Sequence, residues 1–412
     1  MQIATFTLLC ILFLFTISKL KHSLFYLLPF IYLSVTIYTF IGTEFLSYAK
    51  NVPFNFFEDL SGTVYQDIYL YYLLASFSFI LGLLTFKNAD ILILFRIKKQ
   101  VNFNSKVKGK YVIFLYVATI LFLHLGYGIE NLYYREGYTL GDNGITAFRI
   151  LYTMILPLTC LLIPLIKSNS KRYILILILF ILIQGTSSRN LVLIPVCYYI
   201  GAFLRDQKVS LPKSILALIM IVLSVNIAIQ YRDNQSQGVI PNIIYFYTYG
   251  LNFDVTEYAI NYLTSFSIYA SAITLHEHEF NIQSFLVSIN PLPSQYLNIE
   301  NMVDTQKLNS YAPFPAIGML TLGGPSLVFI YYYLSALIWS YFGLFLASRS
   351  KILAIATLML FILFCFLSLQ YNLRSVTRLL YYLILISFIL KFIRILNYNF
   401  TQRLIKAGTL KK

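Results

Sequence analysis

Apolar runs long enough to cross a bilayer recur along the whole chain, separated by short polar stretches. A helix rising about 1.5 Å per residue needs roughly 20 apolar residues to span a ~30 Å hydrocarbon layer. Inside that layer every backbone N–H and C=O must be paired within the structure, so a spanning segment is a helix or a strand of a closed barrel. Barrel strands would read as segments of about ten residues alternating apolar and polar; these runs are continuous. Of 412 residues 58% are hydrophobic and 11% charged, whereas a soluble domain carries about 25% charged residues. Aromatic residues make up 17%, which excludes a disordered chain. The expected fold is all-α: a polytopic integral membrane protein of about eleven transmembrane helices, a single membrane domain over residues 1–412. The runs lie near 3–18, 23–46, 68–86, 111–128, 147–166, 173–185, 190–204, 214–231, 317–347, 352–370 and 379–396. The ninth is long, and Gly323-Gly324-Pro325 is placed to interrupt it.

The net charge is +15, from 31 Lys plus Arg against 16 Asp plus Glu. Most lysines sit in short loops between apolar runs, which is the pattern of cytoplasmic loops rather than of nucleic-acid binding. Lys19, Lys21 and His22 mark one such turn, and residues 87–110 carry Lys87, Arg96, Lys98, Lys99, Lys106, Lys108 and Lys110. Lys167, Lys171 and Arg172 follow, then Arg205, Lys208 and Lys213, then Arg349 and Lys351, then the tail with Arg403, Lys406, Lys411 and Lys412. All fall on one side if every run spans, with the N-terminus outside and the C-terminus cytoplasmic. No positive residue precedes the first run, so it reads as a membrane helix and not as a cleaved signal. Cys10, Cys160, Cys197 and Cys365 all lie within apolar runs and form no disulfide framework or metal motif.

The other side is different in character. Residues 47–67 hold Glu58, Asp59 and Asp67, and residues 129–146 hold Glu130, Arg135, Glu136 and Asp142. The largest loop, 232–316, is too long for a connector. Within it Asp254 and Glu257 fit a capping box. Val255, Tyr258, Ala259, Tyr262, Leu263 and Phe266 recur at helical spacing, an amphipathic helix suited to the membrane–water boundary. An alternative is that 255–275 makes a further span or a re-entrant segment, against which Glu257, Asn261, Thr264 and Ser265 weigh.

Arginines at this side run against the positive-inside bias, and a guanidinium is a planar fork of donors matched to phosphate. Arg189 lies in Gln184-Gly185-Thr186-Ser187-Ser188-Arg189-Asn190, where small residues let the backbone approach an anion. Arg232 sits in Gln230-Tyr231-Arg232-Asp233-Asn234, Arg374 and Arg378 share the turn 371–378, and Arg135 and Arg149 lie near 129–146. For each of these the plain reading is a snorkelling helix end or a pair with a neighbouring carboxylate such as Asp233. His276 and His278 flank Glu277 in the large loop; their spacing does not match a zinc protease, and imidazole or the Glu257 carboxylate could act as a general base. His124, Glu44 and Glu130 lie at similar depth. No phosphate loop, Walker motif or dinucleotide fingerprint is present, so a nucleotide-driven pump is not expected.

With about eleven spans, one dominant outer loop between late spans, the Gly185–Arg189 turn and the stretch Phe314-Pro315-Ala316-Ile317-Gly318 leading to Gly323-Gly324, the chain resembles the O-antigen (oligosaccharide repeat-unit) polymerase family, Wzy. The resemblance implies a GT-C-like, metal-independent glycosyltransferase of surface polysaccharide and lipopolysaccharide biosynthesis in the bacterial inner membrane, without a cofactor. Its substrates would be oligosaccharides linked to undecaprenyl pyrophosphate, and its partners membrane lipids and a chain-length regulator protein. On this resemblance Arg189, Arg232 and Arg374 bind pyrophosphate with Arg378 or Arg135 in support, and His276, His278 or Glu257 orients or deprotonates the acceptor hydroxyl. Tyr245, Tyr247, Tyr249, Tyr258 and Tyr262 would stack on sugars, or form an interfacial aromatic belt. The competing readings are an O-antigen ligase, a lipid-linked oligosaccharide flippase and an acyltransferase; a transporter would favour repeated halves and mid-membrane charges, which the sequence lacks.

Overall fold

A backbone surrounded by hydrocarbon closes its own hydrogen bonds, and each of the apolar runs is helical in the structure, a computed structural model. It describes residues 2–19, 24–46, 62–85, 109–137, 144–206, 211–231, 234–264, 266–292, 296–297, 299–308, 314–349 and 351–406. The helices in chain order begin with α1 (Gln2–Lys19), α2 (Leu24–Leu46), α3 (Gly62–Thr85), α4 (Gly109–Tyr127), α5 (Ile129–Tyr133) and α6 (Thr146–Leu162). Then come α7 (Asn169–Gln184), α8 (Leu193–Asp206), α9 (Leu211–Gln230), α10 (Val239–Tyr249), α11 (Phe253–Thr264) and α12 (Phe266–Glu277). The chain ends with α13 (Ile282–Ile289), α14 (Glu300–Thr305), α15 (Ala316–Leu322), α16 (Gly324–Ile338), α17 (Leu344–Ala347), α18 (Lys351–Gln370) and α19 (Leu373–Lys406). Among the described residues six helices are long and apolar enough to cross a membrane: Thr63–Thr85, Gly109–Tyr127, Thr146–Leu165, Pro212–Gln230, Gly324–Ala347 and Leu373–Phe392. Shorter apolar helical stretches occupy Ala4–Phe15, Ile31–Thr43, Asn190–Ala202 and Ala356–Gln370. The chain is therefore an all-α protein with the helices of a membrane protein.

Several boundaries differ from the sequence reading. Helix α3 begins at Gly62 rather than near 68, which brings Asp67 into the helix. Helix α19 begins at Leu373 rather than near 379, so Arg374 and Arg378 lie in its first turns and not in a loop. The cap of α11 is Asn252, whose Oδ1 accepts from Asp254 N at 2.9 Å, so Asp254 is not the cap. The ninth run breaks as expected, α15 giving way to α16 across Gly323 and Gly324, the latter at φ +82°. A π-helical turn, Trp339–Gly343, links α16 to α17.

The chain forms two compact units, residues 1–98 with 261–412, and residues 99–260. The segment 232–316 is thus divided between them. In the first unit α3 packs along α16, and Gly82 makes the approach possible: a Cβ there would lie 2.7 Å from the Tyr333 carbonyl oxygen. Lipid tails are as apolar as leucine, so such helices associate by close van der Waals fit and not by the hydrophobic effect. Tyr32 stacks on Phe79 at 4.4 Å, and Trp339, Phe361 and Phe364 continue this aromatic core. Helix α12, expected in an outer loop, is buried at every residue from Phe266 to Thr274. Its polar residues tolerate this because Ser271 Oγ donates to Ser267 O and Thr274 Oγ1 to Ala270 O, each at 2.7 Å. Ser267 Oγ donates to Leu369 O and also pairs with Tyr72 OH, joining α12 to α18 and α3.

In the second unit α4 packs on α6 and α6 on α8. Thr119 and Thr159 share a hydrogen bond of 2.7 Å between α4 and α6. Gly201 of α8 lies so close to α6 that a Cβ would fall 2.0 Å from the Leu161 carbonyl oxygen. Gly201→Val is expected to cost at least about 1–3 kcal/mol through overpacking, measured as a lower thermal midpoint of the detergent-solubilised protein. Gly109→Ala, where nothing lies within 4 Å, is the control and should leave the midpoint unchanged.

Candidate functional site

The site is built at one end of the second unit, where α7 must turn into α8 without leaving backbone groups unpaired. Gly185 follows the last residue of α7, and a Cβ on it would fall 2.5 Å from Val239 Cγ2 and 2.7 Å from the Leu132 carbonyl oxygen. The turn is therefore pressed between α5 and α10. Ser187 takes φ +49°, a left-handed conformation that costs a residue with a Cβ about 1 kcal/mol or more. Thr186 Oγ1 donates to Ile183 O at 2.7 Å and bonds Ser188 Oγ at 2.8 Å, so the small polar residues close the turn upon itself. The 3-10 turn Arg189–Val192 then leads into α8.

Two side chains from the flanking segments hold this turn. Arg135 is 5% exposed. Its Nη1 donates to Asn131 O and Gly185 O, each at 2.8 Å, and its Nη2 to Gln237 Oε1 at 3.1 Å. Asn242 of α10, fully buried, donates through Nδ2 to Gln184 O at 2.8 Å. Strands β1 (Arg135–Glu136) and β2 (Ser236–Gln237) pair antiparallel with Arg135 opposite Gln237. Gly238, at φ +122°, passes within a Cβ's reach of the Tyr133 carbonyl. Three segments that the sequence places on the same side, 129–137, 184–192 and 234–249, thus meet in one hydrogen-bonded junction.

Around it, His124 bonds Ile120 O through Nδ1 at 2.8 Å and Tyr133 OH through Nε2 at 3.2 Å, the satisfied helix-end histidine. Arg149 donates to Gly126 O at 2.6 Å and lies over the Tyr127 ring at 5.5 Å. Asn226 and Gln230 on the last turns of α9 fix the start of α11, donating to Asn252 O at 2.8 Å and Gly250 O at 2.9 Å. That places Glu257, half-buried, on the turn of α11 after Asp254. Tyr245 and Tyr249 lie 4.8 Å apart, and Tyr247 is 92% exposed. Only the backbone of Arg189 is described, and Arg232 lies outside the described residues.

The remaining candidates belong to the first unit. Arg374 donates through Nη1 to Val287 O and to Asn290 O at 3.3 Å, and through Nη2 to Leu292 O at 2.7 Å. Tyr381 OH donates to Ile289 O, so two residues of α19 cap the C-terminal carbonyls of α13. A cation there also meets the negative end of the helix dipole. Arg378 follows one turn later on the same face, half-buried. His276 and Glu277 are exposed at the end of α12. His278 is half-buried, its ring 4.6 Å from that of Phe314 and its Nε2 buried with no hydrogen-bond partner among the described residues. Among the described residues no group of three His, Cys, Asp or Glu could hold a metal ion.

The structure brings Arg135 together with the turn that bears Arg189. It places Arg374, Arg378, His276 and His278 in the other unit. Sequence reasoning missed Asn242, Gln237 and Tyr381. Asn242 leaves a signal, an amide inside the apolar stretch Val239-Ile240-Pro241-Asn242-Ile243-Ile244. Compared with protein-family models, curated proteins and solved structures, the chain matches none.

Arg135→Met strands the Gly185 and Asn131 carbonyls, at about 1–3 kcal/mol for each buried acceptor left unpaired, and should lower the thermal midpoint, with Arg135→Lys between it and wild type. Arg374→Ala should raise amide hydrogen exchange in 282–292 selectively, leaving α3 and α16 protected; uniform protection in α13 would show that the cap is dispensable.

Proposed function

We propose that the chain is a surface-polysaccharide polymerase of the O-antigen type, working at the outer face of a bacterial inner membrane with its N-terminus outside. The observation that carries this reading is the junction at the end of the second unit. It presents Arg189 from a turn with a fixed backbone, between an arginine-bearing segment and the segment that follows Arg232. A lipid pyrophosphate at the headgroup plane calls for fixed guanidinium groups, since pyrophosphate leaves well once its charge is met by preorganised donors.

In the reaction, a hydroxyl oxygen at the non-reducing end of a lipid-linked repeat unit attacks the anomeric carbon of the growing glycan. The bond from that carbon to the undecaprenyl pyrophosphate oxygen breaks, the electron pair leaves with the pyrophosphate, and the hydroxyl proton passes to a base. Arg189 and Arg232 hold the pyrophosphate. Arg135, whose donors already meet backbone carbonyls and Gln237, fixes the turn. Arg374 is engaged on α13 in the same manner and positions the start of α19. Within the same unit, the half-buried Glu257 carboxylate is the base available to the acceptor.

The test is a glycan ladder in the host. Deletion should leave single repeat units in place of polymer, restored by wild type and not by an Arg189→Ala protein present at wild-type level, a loss of at least about 100-fold for a charge-stabilising donor. Polymer accumulating on the lipid carrier would make the chain a ligase. Single units trapped at the cytoplasmic face would make it a flippase.

A further inference from the structure

The first unit carries a feature that this reaction does not use. An open groove of about 750 Å³ runs between the first halves of α1 and α3 and reaches Pro325 at the start of α16. Its volume falls within the roughly 300–1,000 Å³ of small-molecule sites. The walls are hydrocarbon: Leu8 and Leu12 from α1, Leu70, Leu74 and Phe77 from α3. Its polar groups are Asp67 and Tyr71, one turn apart on α3. Asp67 is the only charged residue in the span Thr63–Thr85. It lies exposed little more than one turn into α3, at the polar end of the groove, and among the described residues no cation pairs with it.

A carboxylate and a phenol at the polar end of a hydrocarbon groove complement an amphiphile with a primary ammonium head. We infer that this groove is a binding site for an aminophospholipid of the phosphatidylethanolamine type. The ammonium donates to the Asp67 carboxylate, the lipid phosphate accepts from the Tyr71 hydroxyl, and an acyl chain lies along the leucines and Phe77. A choline head has no N–H to donate and loses the charge-assisted hydrogen bond. The pyrophosphate of a lipid carrier would face a like charge at Asp67, so this groove is not the donor site. The inference rests on the groove alone and holds whether or not the polymerase reading does.

The full chain is reconstituted in nanodiscs holding equal phosphatidylethanolamine, phosphatidylcholine and phosphatidylglycerol with a trace of undecaprenyl pyrophosphate, and retained lipids are counted by native mass spectrometry. Phosphatidylethanolamine should be enriched over phosphatidylcholine by about tenfold, the ratio that one charge-assisted hydrogen bond supplies. Asp67→Asn should remove the preference while still retaining lipid, and Leu74→Trp, which fills the groove, should lower retention of every lipid. Asp67→Glu, which keeps the charge, should preserve the preference and guards against misreading a folding defect. No enrichment in the wild type, an unchanged preference in Asp67→Asn, or preferential retention of phosphatidylglycerol or undecaprenyl pyrophosphate overturns the inference.

Discussion

Carbonyl oxygens released where helices end or break must be met by protein donors if little water reaches them, and in this chain arginine meets them repeatedly. Arg135 serves Asn131 and Gly185, Arg149 serves Gly126, and Arg374 serves Val287, Asn290 and Leu292. At the opposite helix ends Arg205 donates to Pro164 O and Arg172 to Lys167 O, each at 3.1 Å. A guanidinium suits this task because its forked donors reach two carbonyls at once and its charge does not titrate away. The packed helices can therefore carry irregular turns at their ends without unpaired backbone, and those turns are where the candidate chemistry lies.

That constraint sorts the arginines. A guanidinium already seated on two or three carbonyls anchors a segment, and an anion would have to displace those bonds to use it. Arg135 and Arg374 belong to this group. Arg189, whose backbone the junction fixes, is held at one remove by Arg135 and Asn242. On the proposed reading, an arginine that binds rests on geometry set by another, the arrangement that preorganised electrostatics calls for.

The helices were legible because hydrocarbon permits little else: a continuous apolar run has one outcome, and every run became helical, the ninth in two pieces. Helix starts were less so. Asp67 and Arg374 read as loop residues because they are charged, yet a helix begins as readily in the headgroup layer as below it. The burial of α12 was hidden for a related reason. Ser267, Ser271 and Thr274 look polar in a sequence, but two of these hydroxyls turn back on their own helix and the third reaches α18. Of the site, the Gly185–Arg189 turn and Arg135 were visible as residue types. What holds them together was not, because a backbone carbonyl as a partner leaves no mark in the sequence; only Asn242, an amide inside an apolar stretch, hints at it, and Gln237 is a single amide in an unremarkable position.

The division of the chain bears on how it is made. The second unit, 99–260, is an uninterrupted insertion, while the first is assembled from both ends of the sequence. Helix α3 and its neighbour α16 are separated by the whole of that insertion and more. At about 5–20 residues per second, synthesis leaves α3 without α16 for on the order of tens of seconds. For that time the face around Gly82 meets lipid or a chaperone instead of Tyr333 and Ala336, and the second unit has all of its helices before α16 is made. Assembly of the first unit is thus the late step of biosynthesis, and a defect in α16 or α19 would leave a membrane-inserted chain with one finished half and one open one.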